Sequence, residues 1–165
     1  MIALKTGDII LVHTPFDLLP PTTWLSALIR FFDKTYYNHC KLVVCNWGVP
    51  FINEALVRGI ETCNSNYNLK GKIIVIRRPK ENFDEQYFAI LANSFVGDTK
   101  YNFFALIQQL IYRSFGIWIS TNKDLSTDKF YCSDYCAYMH NMKEWWKISP
   151  RELFNSELFE TIYQN

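Results

Sequence analysis

Polar and apolar positions along this chain change rhythm midway. In "TGDIILVHT" (6–14) the apolar residues run together, Ile9 to Val12, between Gly7 and Pro15, which predicts a first strand lying centrally in a sheet. "PPTTWLSALIRFFDK" (20–34) opens on prolines and threonines and then spaces its apolar residues helically, predicting a helix of about three turns. Two extended runs follow, "HCKLVVCNW" (39–47) and "VPFINEALV" (49–57), parted by Gly48, and their proximity predicts a hairpin. "GKIIVIRRPK" (71–80) reads as another strand ended by Pro79, and the polar stretch from Arg58 to Lys70 reads as an exposed loop.

Beyond residue 80 the period lengthens. "DEQYFAILANSFVG" (84–97) and "YNFFALIQQLIYRSF" (101–115) are helical by spacing, the first closing at Gly97 as a glycine beyond a helix C-terminus. After a polar loop (120–129), "FYCSDYCAYMHNM" predicts a helix, with Thr127 and Asp128 as capping residues ahead of Cys132. "SPRE" (149–152) combines a serine cap, proline at the first helical position and glutamate at the third, predicting a short last helix. Strands early and helices late make an α+β domain with an antiparallel sheet, and 165 residues without a linker make one domain, 1–165.

Composition narrows the function classes. Seventeen basic against sixteen acidic residues, scattered rather than blocked, remove the electrostatic grip that nucleic-acid binding needs. The five cysteines are odd in number and irregular in spacing, unlike a disulfide scaffold. With Lys5 and Asp8 interrupting an N-terminus that has no signal-peptide core, the expected setting is cytoplasmic. "YNFFALIQQLIYRSFGIWIS" (101–120) reaches the length of a membrane span but carries Gln108, Gln109, Arg113 and Gly116, so it reads as an amphipathic helix and membrane association is not expected.

Candidate chemistry centres on Cys132. At the mouth of its helix, unpaired N–H groups and the positive end of the dipole favour a thiolate and can hold an oxyanion. Cys136, a turn further in, reads as a core thiol. A nucleophilic thiolate needs an imidazole and a group to orient it. His140 is two turns from Cys132 on the same helix, about 12 Å along its axis, too far to pair with it. His39 is better placed, because the hairpin after it returns Glu54 toward it. If Asn46 and Trp47 centre the turn, residues 39 and 54 stand opposite on one face; a one-residue shift turns Glu54 away. A zinc site on Cys132, Cys136 and His140 is set aside, since one straight helix spreads the three too widely around a single ion; no metal and no cofactor is expected.

These motifs carry a resemblance. "TGDIILVHT", then "NHCKLVV", then "INEAL", then a late "YCSD" is similar to the circularly permuted branch of the NlpC-type papain-like cysteine hydrolases, the YiiX-like group above all. It spans Gly7 to the Cys132 helix, with Ser133-Asp134 where members often carry Ser-Glu. The resemblance implies a papain-like fold, a central antiparallel sheet or partial barrel with helices on one side. It implies Cys132 as nucleophile, His39 as general base and Glu54 as the residue orienting the imidazole. "GDTKYNF" (97–103) resembles a family segment ending in a substrate-side tyrosine, here Tyr101. The implied activity is thiol-dependent cleavage of amide bonds, as in cell-wall-type peptides. Acyl transfer or ester cleavage on a lipid is the alternative, by resemblance to lecithin retinol acyltransferase-like proteins. A binding module that kept the fold without the activity is the reading from another class. The expected partner is a peptide or acyl small molecule, not nucleic acid.

Overall fold

The structure is a computed structural model that describes residues 3–13, 31–64, 72–119 and 128–165. Its centre is a six-stranded sheet whose bonded neighbours all run antiparallel, in the order β4-β3-β2-β1-β5-β8. The strands are β1 (Ile9–His13), β2 (His39–Asn46), β3 (Val49–Leu56), β4 (Gly59–Asn64), β5 (Ile73–Pro79) and β8 (Phe159–Gln164). β1 lies inside the sheet, as its unbroken apolar run requires. Ile9 and Leu11 join the core on one face and Ile10 and Val12 the core on the other.

The helices are α1 (Glu85–Ser94), α2 (Phe103–Phe115), α3 (Cys132–Met139) and α4 (Pro150–Asn155), with a 3-10 turn at Trp145–Lys147. Residues of α1, α3 and α4 pack with Leu42, Val44, Ala55 and Val75 in the larger core, so these helices share one face of the sheet. Asp84 caps α1 by accepting from the Tyr87 N–H at 2.9 Å. Gly116, at φ 71°, closes α2. Ser149 and Glu152 form the reciprocal box that "SPRE" predicts, at 2.9 and 3.3 Å.

Several expectations change. The helix predicted over 20–34 falls mostly outside the described residues, although Phe31 to Asp33 are helical. Residues 58–64, expected as loop, contain the edge strand β4, paired throughout with β3. Its polar, half-exposed residues hide a strand that needs only one apolar side. β8, unforeseen, fills the opposite edge against β5. Gly97 does not close α1; the helix ends at Ser94, and Gly97, at φ 84°, donates its N–H to Ile60 O at 3.1 Å. Among the described residues no helix is long and apolar enough to cross a membrane.

Two local devices set the scene for the site. The β2–β3 turn is Trp47-Gly48, both at positive φ (54° and 78°), the two-residue geometry that suits the strand twist. The second is a close approach at Gly59. Its φ is +123°, and a Cβ there would stand 2.1 Å from the Thr99 carbonyl oxygen. Only glycine lets β4 and the segment after α1 touch backbone to backbone. That segment runs on into β6 (Lys100–Tyr101), which pairs in parallel with β7 (Lys129–Phe130) immediately before α3.

Candidate active site

β2 and β3 pair as Leu42 with Asn53 and Asn46 with Val49. This register is two residues from the one that would set His39 directly against Glu54. Continued outward, it places Lys41 opposite Glu54 and His39 on the diagonal. An even shift keeps the face, and diagonal neighbours remain within reach of long side chains. His39 Nε2 accordingly lies 3.0 Å from Glu54 Oε2, and Lys41 Nζ lies 2.6 Å from the same oxygen. Cys63, on β4, donates its thiol to the other oxygen at 3.6 Å.

With Nε2 committed to Glu54, Nδ1 is the ring atom left for Cys132, and the imidazole and that thiol are hydrogen-bonded. The Cys40 thiol also bonds to Cys132. Adjacent strand residues point to opposite faces, so a sulfur that meets both His39 and Cys40 sits over the end of β2 rather than against its flat. α3 delivers it there. Tyr131 is the helix cap in place of Asp128, and Asp134 accepts the Tyr131 N–H at 2.8 Å, fixing the turn that opens with Cys132. Thr127 lies outside the described residues.

The electrostatics follow from these contacts. Hydrogen bonding from Cys40 pulls the Cys132 thiol well below its ordinary 9.0; burial opposes this, and the His39 hydrogen bond and charge add to it. Burial disfavours a charged His39 ring, yet the bonds to Cys132 and Glu54 outweigh it and raise the ring from 6.5 to about 9. Burial would likewise raise Glu54, but His39 and Lys41 hold it well below the usual carboxylate range. The preferred state at neutral pH is a thiolate beside an imidazolium, braced by a carboxylate. Asp134 moves the other way, pushed well up by burial and by the Cys132 charge.

Tyr101 arrives by the β6–β7 pairing, which sets it beside Phe130, two residues ahead of the thiol. Burial and then the Cys132 charge raise its phenol. The structure thus brings Cys132, His39, Glu54 and Tyr101 into one neighbourhood, while His140, beyond the far end of α3, lies apart from it. Cys136 is fully buried in the core. A narrow cleft lined by Leu106, Gln109, Leu110 and Arg113 of α2 reaches Cys132.

Sequence reasoning passed over Cys40 and Lys41. Strand alternation was the signal that could have found them, since Lys41 shares the face of His39 and Cys40 takes the other.

Among the described residues no group of three or more His, Cys, Asp or Glu side chains converges to hold a metal ion. No family model matches the chain, and no curated protein matches it by sequence. In fold the chain is similar to a solved structure: the metalloprotein YiiX from Escherichia coli O157:H7 superposes with a TM-score of 0.60 over 99% of both chains, at 16% identity. The chain has the YiiX fold.

Proposed function

We propose that this protein is a thiol hydrolase that cleaves amide bonds through an acyl-thioenzyme, on a circularly permuted papain-like scaffold of the NlpC type. The observation that carries the reading is the chain of contacts from Cys132 to His39 to Glu54, drawn from α3, β2 and β3. It has the nucleophile, base and orienting group in hydrogen-bonded sequence.

The Cys132 thiolate adds to the carbonyl carbon, forming a C–S bond and an oxyanion that the first-turn amides of α3 receive. His39, already protonated, gives its proton to the leaving nitrogen as the C–N bond breaks. A water then loses a proton to His39 and adds to the thioester, and the acid departs as the thiolate re-forms. Glu54 keeps the ring oriented and its charge compensated throughout. Tyr101 lines the substrate side of the thiol.

The metal of YiiX does not transfer to this site. Both nitrogens of His39 are engaged, and the Glu54 oxygen that would meet a cation already holds Lys41 at 2.6 Å.

A lipid acyl substrate is the second reading. What favours it is the exposed apolar row of Phe104, Ile107, Phe115, Ile117 and Ile119 on α2 and its continuation, the helix that lines the Cys132 cleft.

The deciding experiment sets peptide amides against acyl esters with wild type and Cys132→Ala. Hydrolysis of an amide that disappears in the variant, with the fold intact, is expected. Undiminished hydrolysis or undiminished electrophile labelling in Cys132→Ala refutes the proposal, and turnover of acyl esters alone selects the second reading.

A further inference from the structure

Of the five cysteines, Cys40 and Cys132 are in contact. Both lie in the larger core, at 0% and 2% exposure. The pairing of β2 with β3 runs outward only as far as Leu42. Beyond it, the backbone N–H and the thiol of Cys40 both bond to the Cys132 sulfur. The other three stand elsewhere. Cys45 and Cys63 pack against the core on the opposite face of the sheet. Cys136, one turn along α3, meets Cys132 through its charge.

The contact joins two unlike thiols. The His39 bond and charge favour the thiolate of Cys132, and the cleft beside α2 reaches that sulfur. Cys40 is enclosed. Burial first, then the bond to Cys132 and the Cys132 charge, raise its thiol well above 9.0. Cys132 is therefore the sulfur that a small oxidant meets, and Cys40 is held protonated behind it.

We propose that Cys40 is a resolving cysteine, which captures a peroxide-oxidised Cys132 as a disulfide and so withdraws the nucleophile reversibly. The inference rests on Cys132 being the reactive thiol of the proposed function. The Cys132 thiolate attacks one oxygen of hydrogen peroxide, the O–O bond breaks, and the departing hydroxide takes the His39 proton as water. Cys132 is then a sulfenic acid. The Cys40 sulfur attacks it, an S–S bond forms as the S–O bond breaks, and the hydroxide leaves with the Cys40 proton as a second water. In sum, two thiols give two electrons to one peroxide and yield one disulfide and two waters. The first step readies the second. A sulfenic acid is uncharged, so the thiolate charge that kept Cys40 protonated is gone, and contact offsets the burial that remains. Sulfurs already in hydrogen-bond contact need only a short approach to join. Without a partner so near, further peroxide would carry Cys132 to the irreversible sulfinic acid.

The test treats the full chain with hydrogen peroxide at pH 7, blocks the remaining thiols and maps tryptic peptides without reductant. Trypsin separates Cys40, in 35–41, from Cys132 and Cys136, in 130–143. A link between these two peptides is expected, with fragment spectra assigning it to Cys132, and Cys136→Ala should still form it. Dithiothreitol should restore both thiols and the activity lost to peroxide. Cys40→Ala, and Cys40→Ser, which keeps the size, are expected to end as a Cys132 sulfinic acid that dithiothreitol does not reverse. A wild type whose Cys40 stays unlinked, a bridge from Cys136 instead, or full recovery of the Cys40 variants by dithiothreitol each overturns the proposal. Mapping is independent of turnover. A reversible Cys40–Cys132 link in a chain that cleaves no amide supports the thiol pair and refutes the hydrolase reading; amide turnover without the link does the reverse.

Discussion

Replacing His39 by alanine isolates what the imidazole does to the sulfur. In the wild type the His39 hydrogen bond and charge help the Cys40 bond hold the Cys132 thiol well below 9.0, so the thiolate predominates at pH 7. Without the ring, the bonds from Cys40, the largest influence on the sulfur, are left against burial, so the group rises while staying below 9.0. For each unit that the pKa stands above 7, the thiolate fraction at pH 7 falls about tenfold. A more basic thiolate is intrinsically a better nucleophile, which returns roughly threefold per unit. The net expectation is iodoacetamide alkylation of Cys132 slowed at pH 7 by roughly threefold for each such unit, quantified by peptide mapping so that part-exposed Cys45 and Cys63 do not contribute. The pH profile gives the sharper signature. The wild-type rate is flat across neutral pH, whereas that of the variant climbs with pH. A variant rate within twofold of wild type at pH 7, with an unchanged profile, would show that the ring does not activate the sulfur.

The remaining expectations concern the frame around the pair. Glu54→Gln leaves the charge of Lys41, only 3% exposed, without its carboxylate; removing one partner of a buried ion pair costs about 3–5 kcal/mol. Urea denaturation should show that loss, and adding Lys41→Met should recover part of it, while equal loss in single and double variants would refute the coupling. Gly59→Ala should cost roughly 2–4 kcal/mol, because both φ +123° and the 2.1 Å approach to Thr99 oppose a side chain; a midpoint unchanged from wild type would show that the β4 contact gives way freely.

How much was legible before the structure varied with the kind of signal. Ile9 to Val12 declared a central strand because four successive apolar residues can be buried only on two faces, and "SPRE" declared a helix start because each residue satisfies a specific backbone group. β4 and β8 lie at the sheet edges, where "GIETCN" and "FETIYQ" need only one apolar side, so their patterns resemble loops. The grouping of Cys132 with His39 rested on order along the chain, and the geometry does bring them together. Glu54 depended on a register that no residue type announces; the positive φ of Trp47, a residue that seldom adopts it, moved the turn by one position and the pairing by two. Asp134 as the partner of the Tyr131 N–H was likewise hidden, since Tyr131 caps the helix in place of Asp128, expected upstream.

His39, Cys40 and Lys41 are three consecutive residues, and each serves the sulfur or the carboxylate that steadies the ring. A pleated segment dealt alternately to two sides thus acts as a keyed bar: one notch of slippage would exchange every occupant at once, putting a thiol where the imidazole belongs. A slip of one residue therefore abolishes the arrangement rather than weakening it, and hairpin variants that slip by one should be inert.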